Sequence, residues 1–148
     1  MSKFIYPIDT DQFQLIREQG KIYVDKTGYI YDLVNVRKYQ FVFLSRPRRF
    51  GKSLFCNTLK AYFQGQKELF DGLKISKLEQ EWKKYPVLHF DMSEMRNCTT
   101  IKDMRDVLSA MLHRYEAQYG ATKNIDDLGA RFSQLIRFVH ESQKAQAV

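Results

Sequence analysis

The residues best able to do chemistry lie in one stretch, Tyr39–Ser53 (YQFVFLSRPRRFGKS), where an apolar, β-favouring run gives way to a basic turn ending in Gly51, Lys52 and Ser53. Gly-Lys-Ser fills the last three places of the phosphate-binding pattern G-x-x-x-x-G-K-[ST]. In that pattern backbone N–H groups cradle phosphates, the lysine reaches their oxygens and the hydroxyl ligates Mg²⁺. The candidate nucleotide contacts are Arg46, Pro47, Arg48, Arg49, Phe50, Gly51, Lys52, Ser53 and Leu54, with Ser53 as the Mg²⁺ ligand. Arg46 stands where the template has its first glycine. Arginine adopts positive φ less readily than glycine and Pro47 has no N–H, so the first half of the loop contributes less to an anion nest. The amides from Arg49 to Ser53 remain, the last of them at a helix N-terminus whose partial positive charge favours an anion. Arg46, Arg48 and Arg49 add charge that suits this anion or a different one, and the plain alternative is a chance turn with solvated arginines.

Two elements must position this loop. Phe41–Leu44 is a continuous apolar run, as a strand buried on both sheet faces would be. After Ser53, Phe55, Leu59, Tyr62 and Phe63 recur at helical spacing as far as Gly65, a helix stop. Upstream, Asp9–Gly20 reads as a short helix capped by Asp9 or Thr10, with Phe13 and Ile16 on one face. Residues 21–27 (KIYVDKT) read as a brief strand, and Thr27 as the cap of a second helix with Tyr29, Ile30, Leu33 and Val34 on one face. Asp25 and Lys26 fall at that junction, where solvation or salt bridging is the first reading and a place beside the nucleotide the second.

Downstream, residues 66–78 read as a connection with short helical pieces, and Leu78 and Trp82 as a helical turn closed off before Pro86. Val87, Leu88 and Phe90 form a second apolar run with Asp91 at its carboxyl end, where open α/β sheets place their ligands. Asp91 is thus a candidate for the Mg²⁺ shell, although many phosphate-binding sheets carry that carboxylate one crossover later. His89, alone within the run, reads as a packed or surface residue. Thr100 and Asp103 approximate a capping box before a stripe running from Ile101 through Met104, Leu108, Met111, Leu112 and Tyr115 to Tyr119. A last helix is expected from near Asn124, with Leu128, Phe132, Leu135, Ile136 and Val139 on its apolar face.

The 148 residues, 44% hydrophobic and 14% aromatic, suffice for one domain with a real core. A formal net charge of +7 suits a polyanionic partner, nucleotide or nucleic acid. Cys56 and Cys98 sit in no metal-ligand spacing and read as buried free thiols, fitting a reducing, cytoplasmic setting. No signal peptide opens the chain and no run approaches a membrane span.

With these residues in view, the chain resembles the AAA-ATPase-like domain of a large group of bacterial proteins, many from gut anaerobes. The resemblance rests on IYVDKT at Ile22–Thr27, FLSRPRRFGKS at Phe43–Ser53, LKAYFQGQKELFDGL from Leu59 and YPVLHFDMS from Tyr85, in the family's order over nearly the whole chain. Arg46, odd against the general template, is what this family uses. The resemblance implies a P-loop NTPase-type α/β fold, a parallel sheet flanked by helices, binding ATP with Mg²⁺ through Arg46–Ser53. It also implies that residues 1–148 are the N-terminal part of an AAA-ATPase-like domain, an incomplete sheet whose acidic Walker B strand would begin just after Val148. The acidic motif, the sensor residues and any arginine finger are expected further on, as is the restriction-type nuclease-like domain that often follows in that family, so hydrolysis by these residues alone is not expected.

Three functions are weighed. The first is a nucleotide-binding module, ATPase by lineage. The second is a nucleic-acid-binding module using Arg37, Lys38, Arg46, Arg48 and Arg49 on backbone phosphates; against it, the aromatics mostly lie on apolar stripes rather than interleaved with the basic residues. The third is a switch that binds nucleotide without turning it over.

Overall fold

Apolar residues spaced three and four apart in this sequence find partners as helices, whereas its extended apolar runs find no sheet to join. The computed structural model describes residues 5–8, 10–121 and 125–148, in two compact units that divide between Lys84 and Tyr85.

In the first unit, helix α1 (Phe13–Glu18) buries Phe13 and Ile16, as their spacing predicts. It starts later than expected: Asp9 lies outside the described residues, and the Thr10 hydroxyl accepts from the Gln12 amide at 3.1 Å without capping the helix. Helix α2 (Thr27–Tyr31) passes into a π-helical turn at Asp32–Val36. Thr27 is its first residue rather than its cap, and the side chain ordering this start belongs to Asp25. Helix α3 (Lys52–Phe63) ends before Gly65, which takes the left-handed φ of +67°. Residues 66–78 form the expected connection, with 3-10 turns at Lys67–Phe70 and Lys74–Lys77.

The core of this unit is aromatic. Phe13 packs on Phe70 at 4.9 Å between ring centroids, and Trp82 lies 5.1 Å from Phe70 and 5.8 Å from Tyr62. The helical turn expected around Leu78 and Trp82 does not form; Trp82 adopts φ 43°, which turns the chain so that the indole reaches this core. Burying one such ring contributes about 1.5–3 kcal/mol, enough to outweigh the cost of a single left-handed residue.

In the second unit, helix α4 (Ile101–Tyr119) has the expected capping box, Thr100 Oγ1 accepting from the Asp103 amide and Asp103 accepting from the Thr100 amide. Gly120 ends it at φ +79°. Helix α5 (Leu128–Gln143) is capped by Asp127; the start expected at Asn124 lies outside the described residues. Leu112, Leu135 and Val139 form the core, with Leu88, Phe90, Tyr115 and Tyr119 against it. Phe132 and Ile136, assigned to the buried face, are more than a third exposed, and Arg131 is buried instead.

The expected parallel sheet is not formed. Among the described residues there are helices and turns and no β-strand. Phe41–Leu44 carries β-favouring side chains but joins no ladder, and Phe41 and Phe43 are 92% and 93% exposed. Residues 21–25 likewise make no strand, Ile22 N–H donating to the Ile5 carbonyl at 2.8 Å. The reason is physical: β-propensity reports how a side chain fits a pleated, half-buried surface, and it has no effect where no neighbouring strand offers its N–H and C=O groups. In residues 86–90 other partners take those groups. Leu88 N–H donates to the Val148 carbonyl at 2.7 Å and Val148 N–H to that of Pro86 at 2.9 Å. The Tyr115 hydroxyl accepts from His89 N–H at 2.7 Å and donates to the His89 carbonyl at 2.6 Å.

Candidate functional site

The basic turn reaches α3 through two left-handed residues, Arg49 at φ 65° and Gly51 at φ 71°. Left-handed backbone is ordinary for Gly51 but costs Arg49 of the order of 1 kcal/mol. Lys52, immediately after Gly51, is already helical. A left-handed residue followed by a right-handed one turns successive N–H groups to the same side, the geometry of an anion-accepting nest. Gly51 provides no side-chain cap, so the first amides of α3 keep their capacity for an outside acceptor, aided by the helix dipole.

Lys52 folds back over the loop. Its Nζ donates to the carbonyl oxygens of Arg46 at 2.6 Å and Pro47 at 2.9 Å. Two of the three ammonium donors therefore close the loop, which pins Arg46 and Pro47, the residues that offer least to a nest. Residues 46–51 are exposed, Ser53 is exposed on the first turn of α3, and Leu54 turns into the core of the first unit. The nine candidate nucleotide contacts are thus one continuous feature, with Arg46, Arg48 and Arg49 at its solvent side.

Asp91 belongs to the second unit, where it caps a 3-10 turn at Met92–Met95 by accepting from the Ser93 amide at 2.9 Å. That amide holds its carboxyl below the usual carboxylate range. The Mg²⁺ role considered for Asp91 thus meets a carboxylate already engaged in a local cap. Among the described residues no group of three or more His, Cys, Asp or Glu side chains could hold a metal ion.

Residues given little weight in the sequence prove to shape the surroundings of the loop. Asp25 Oδ1 accepts from Thr27 N–H at 2.8 Å and Thr27 Oγ1 at 2.6 Å, while Oδ2 accepts from Lys74 N–H at 2.6 Å. The buried Thr27 hydroxyl in turn accepts from Ile75 N–H at 3.1 Å. Partial burial works to raise the Asp25 pKa, but the bonds from Thr27 and Lys74 outweigh it and hold the carboxyl below its ordinary range. Asp25 and Thr27 thus clamp the start of α2 to the 66–78 connection. A carboxylate two residues before a hydroxyl is the legible signal, since Asp at that spacing folds the backbone into an Asx turn.

Lys26, between Asp25 and Thr27, lines a cavity of about 490 Å³. Tyr29, Asp32, Leu33, Arg37, Tyr39, Val42, Leu44, Arg46, Phe50, Gly51 and Phe55 complete its wall. Arg46, Phe50 and Gly51 belong to both the loop and the cavity. Arg37 Nε pairs with Asp32 Oδ2 at 3.0 Å, and the guanidinium lies 6.0 Å from the Tyr39 ring centroid. Periodicity could not have found this wall, because it joins α2 to an extended segment with no regular spacing between them. Cys56, expected to be buried, is exposed on α3, and Cys98 is half-buried; both are free thiols.

The site is thus a basic turn feeding a helix without a side-chain cap, beside a cavity whose wall includes Lys26, Arg37 and Arg46. Comparison places the chain within a family: it belongs to the predicted AAA-ATPases, whose family model matches residues 7–148. It is 36% identical over 144 residues to an uncharacterised protein encoded in the vnfD 5′ region of Azotobacter chroococcum mcd 1. Those residues make up 95% of this chain and 27% of that relative. No solved structure matches the chain. No helix among the described residues is long and apolar enough to cross a membrane.

Proposed function

We propose that residues 46–54 form a phosphate-binding loop for ATP with Mg²⁺, in a nucleotide-binding module that is an ATPase by lineage. The observation that carries the reading is the left-handed Gly51 running directly into the uncapped, helical Lys52, with the Lys52 ammonium held over the loop. In this reading the amides around Gly51–Ser53 bind phosphate oxygens. Lys52 exchanges its two carbonyl partners for a phosphate, and the exposed Ser53 hydroxyl joins the Mg²⁺ shell. Binding is the function assigned to these residues; turnover would in addition need a carboxylate to orient the attacking water.

Titration with a fluorescent ATP analogue, with and without Mg²⁺, tests this. Saturable binding displaced by ATP and lost in Lys52→Ala supports the reading; equal binding by Lys52→Ala sinks it.

A second reading is favoured by one observation. Phe41 and Phe43, taken from the sequence as buried, stand almost fully exposed in the segment between Arg37, Lys38 and the basic loop. Exposed rings among cations suit a single-stranded nucleic acid. Such binding weakens steeply with salt, and a labelled oligonucleotide competed by ATP at two salt concentrations separates the two readings.

A further inference from the structure

The cavity wall carries an unusual amount of unburied apolar surface for one side of a small unit. Tyr29 is 67% exposed, Phe50 58% and Tyr39 53%, and all three face the same 490 Å³. Clustered exposed apolar side chains around a concavity mark a binding surface. Lys26 and Arg46 also line it, and Arg46 and Gly51 are shared with the loop, so a fitting occupant is flat and apolar at one end and anionic at the end nearer the loop.

From this we infer that the cavity takes the base of a nucleotide whose phosphates lie on the 46–54 loop, with the base packed against Tyr29, Leu33 and Tyr39. The inference rests on the phosphate-loop reading above and extends it to the part of the ligand that the loop does not touch. It also defines selectivity. Asp32 and Arg37, polar groups able to read a base edge, are paired with each other at 3.0 Å. That pair turns one donor and one acceptor toward each other, and the contact the aromatic wall offers is stacking, which every base can accept, so purines are taken with little discrimination. Asp25 and Thr27 serve as positioning residues, because their clamp sets the start of the helix that carries Tyr29.

Competition titrations of the chain with ATP, GTP, adenosine and inorganic tripolyphosphate, on the wild type and Tyr29→Ala, decide the matter. Tyr29 is mostly exposed, so its replacement leaves the core intact. ATP and GTP are expected within about threefold of each other and roughly tenfold or more tighter than tripolyphosphate, as stacking on one ring supplies. Tyr29→Ala removes that advantage and leaves tripolyphosphate binding unchanged. Equal affinity for ATP and tripolyphosphate in the wild type overturns the base site while leaving the phosphate loop standing. Adenosine binding without tripolyphosphate binding keeps the cavity and overturns the loop, and no binding by any ligand overturns both. A preference above about tenfold between ATP and GTP refutes the stacking account of selectivity.

Discussion

Glu116→Leu is the most informative perturbation of the second unit, because it removes half of an ion pair that α4 and α5 bury between them. Arg131 Nε and Nη2 donate to the two Glu116 carboxylate oxygens at 2.9 and 2.7 Å, and Nη1 donates to Ser109 Oγ at 2.7 Å. The side chains are only 3% and 5% exposed. Hydrogen bonding to Glu116 raises the Arg131 pKa; that support goes with the carboxylate, but the ordinary guanidinium pKa is itself so high that Arg131 stays charged in the variant. Breaking a buried pair in this way costs about 3–5 kcal/mol. Against a domain stability of about 5–15 kcal/mol, that loss is large enough to shift urea unfolding conspicuously. Replacing both partners, Glu116→Leu with Arg131→Met, removes the orphaned charge and is expected to return stability to within about 1 kcal/mol of wild type. Far-UV circular dichroism during urea titration reads this well, since α4 and α5 are 19 and 16 residues long. A single variant costing under about 1 kcal/mol, or a double variant no better than the single, refutes the assigned role.

Two further outcomes follow from the first unit. Asp25→Asn is expected to destabilise it at neutral pH by about 1–2 kcal/mol through weakened bonds to Thr27 and Lys74. The folded-state pKa of Asp25 is lowered from 3.8, so its contribution is complete above that value and is lost as pH falls through the lower folded value. The gap in melting temperature between wild type and variant should therefore narrow from pH 6 to pH 3, and a widening gap contradicts the assigned sign. Gly51→Ala meets no atom within 4 Å, so its cost is backbone strain alone at φ +71°, about 1 kcal/mol, and Gly51→Asn should recover part of it. Calorimetric titration with ATP should show the same ranking in affinity, whereas equal binding by all three proteins denies the left-handed turn a part in the site.

The sequence by itself determined the features whose physics is local. The reach of α3 from the loop to Gly65, the capping box at Thr100 and Asp103 and the left-handed stop at Gly120 each depend on residues within one or two helical turns. The basic loop was legible for the same reason, because a glycine before a helix start acts through its own φ. Tertiary structure decided whatever needed a distant partner. Phe41–Leu44 and Val87–Phe90 have the composition of buried strands, yet a ladder requires a neighbour's backbone, and Tyr115 and Val148 took up the bonds of residues 86–89. Arg131 entered the core only because Glu116, on another helix, stood opposite to neutralise it. The cavity beside the loop joins α2 to residues 37–51, and α2 is itself tied through Asp25 to Lys74 and through Thr27 to Ile75, about fifty positions away in the chain. No periodicity encodes such a wall, since its shape is fixed by contacts that exist only once the chain has folded.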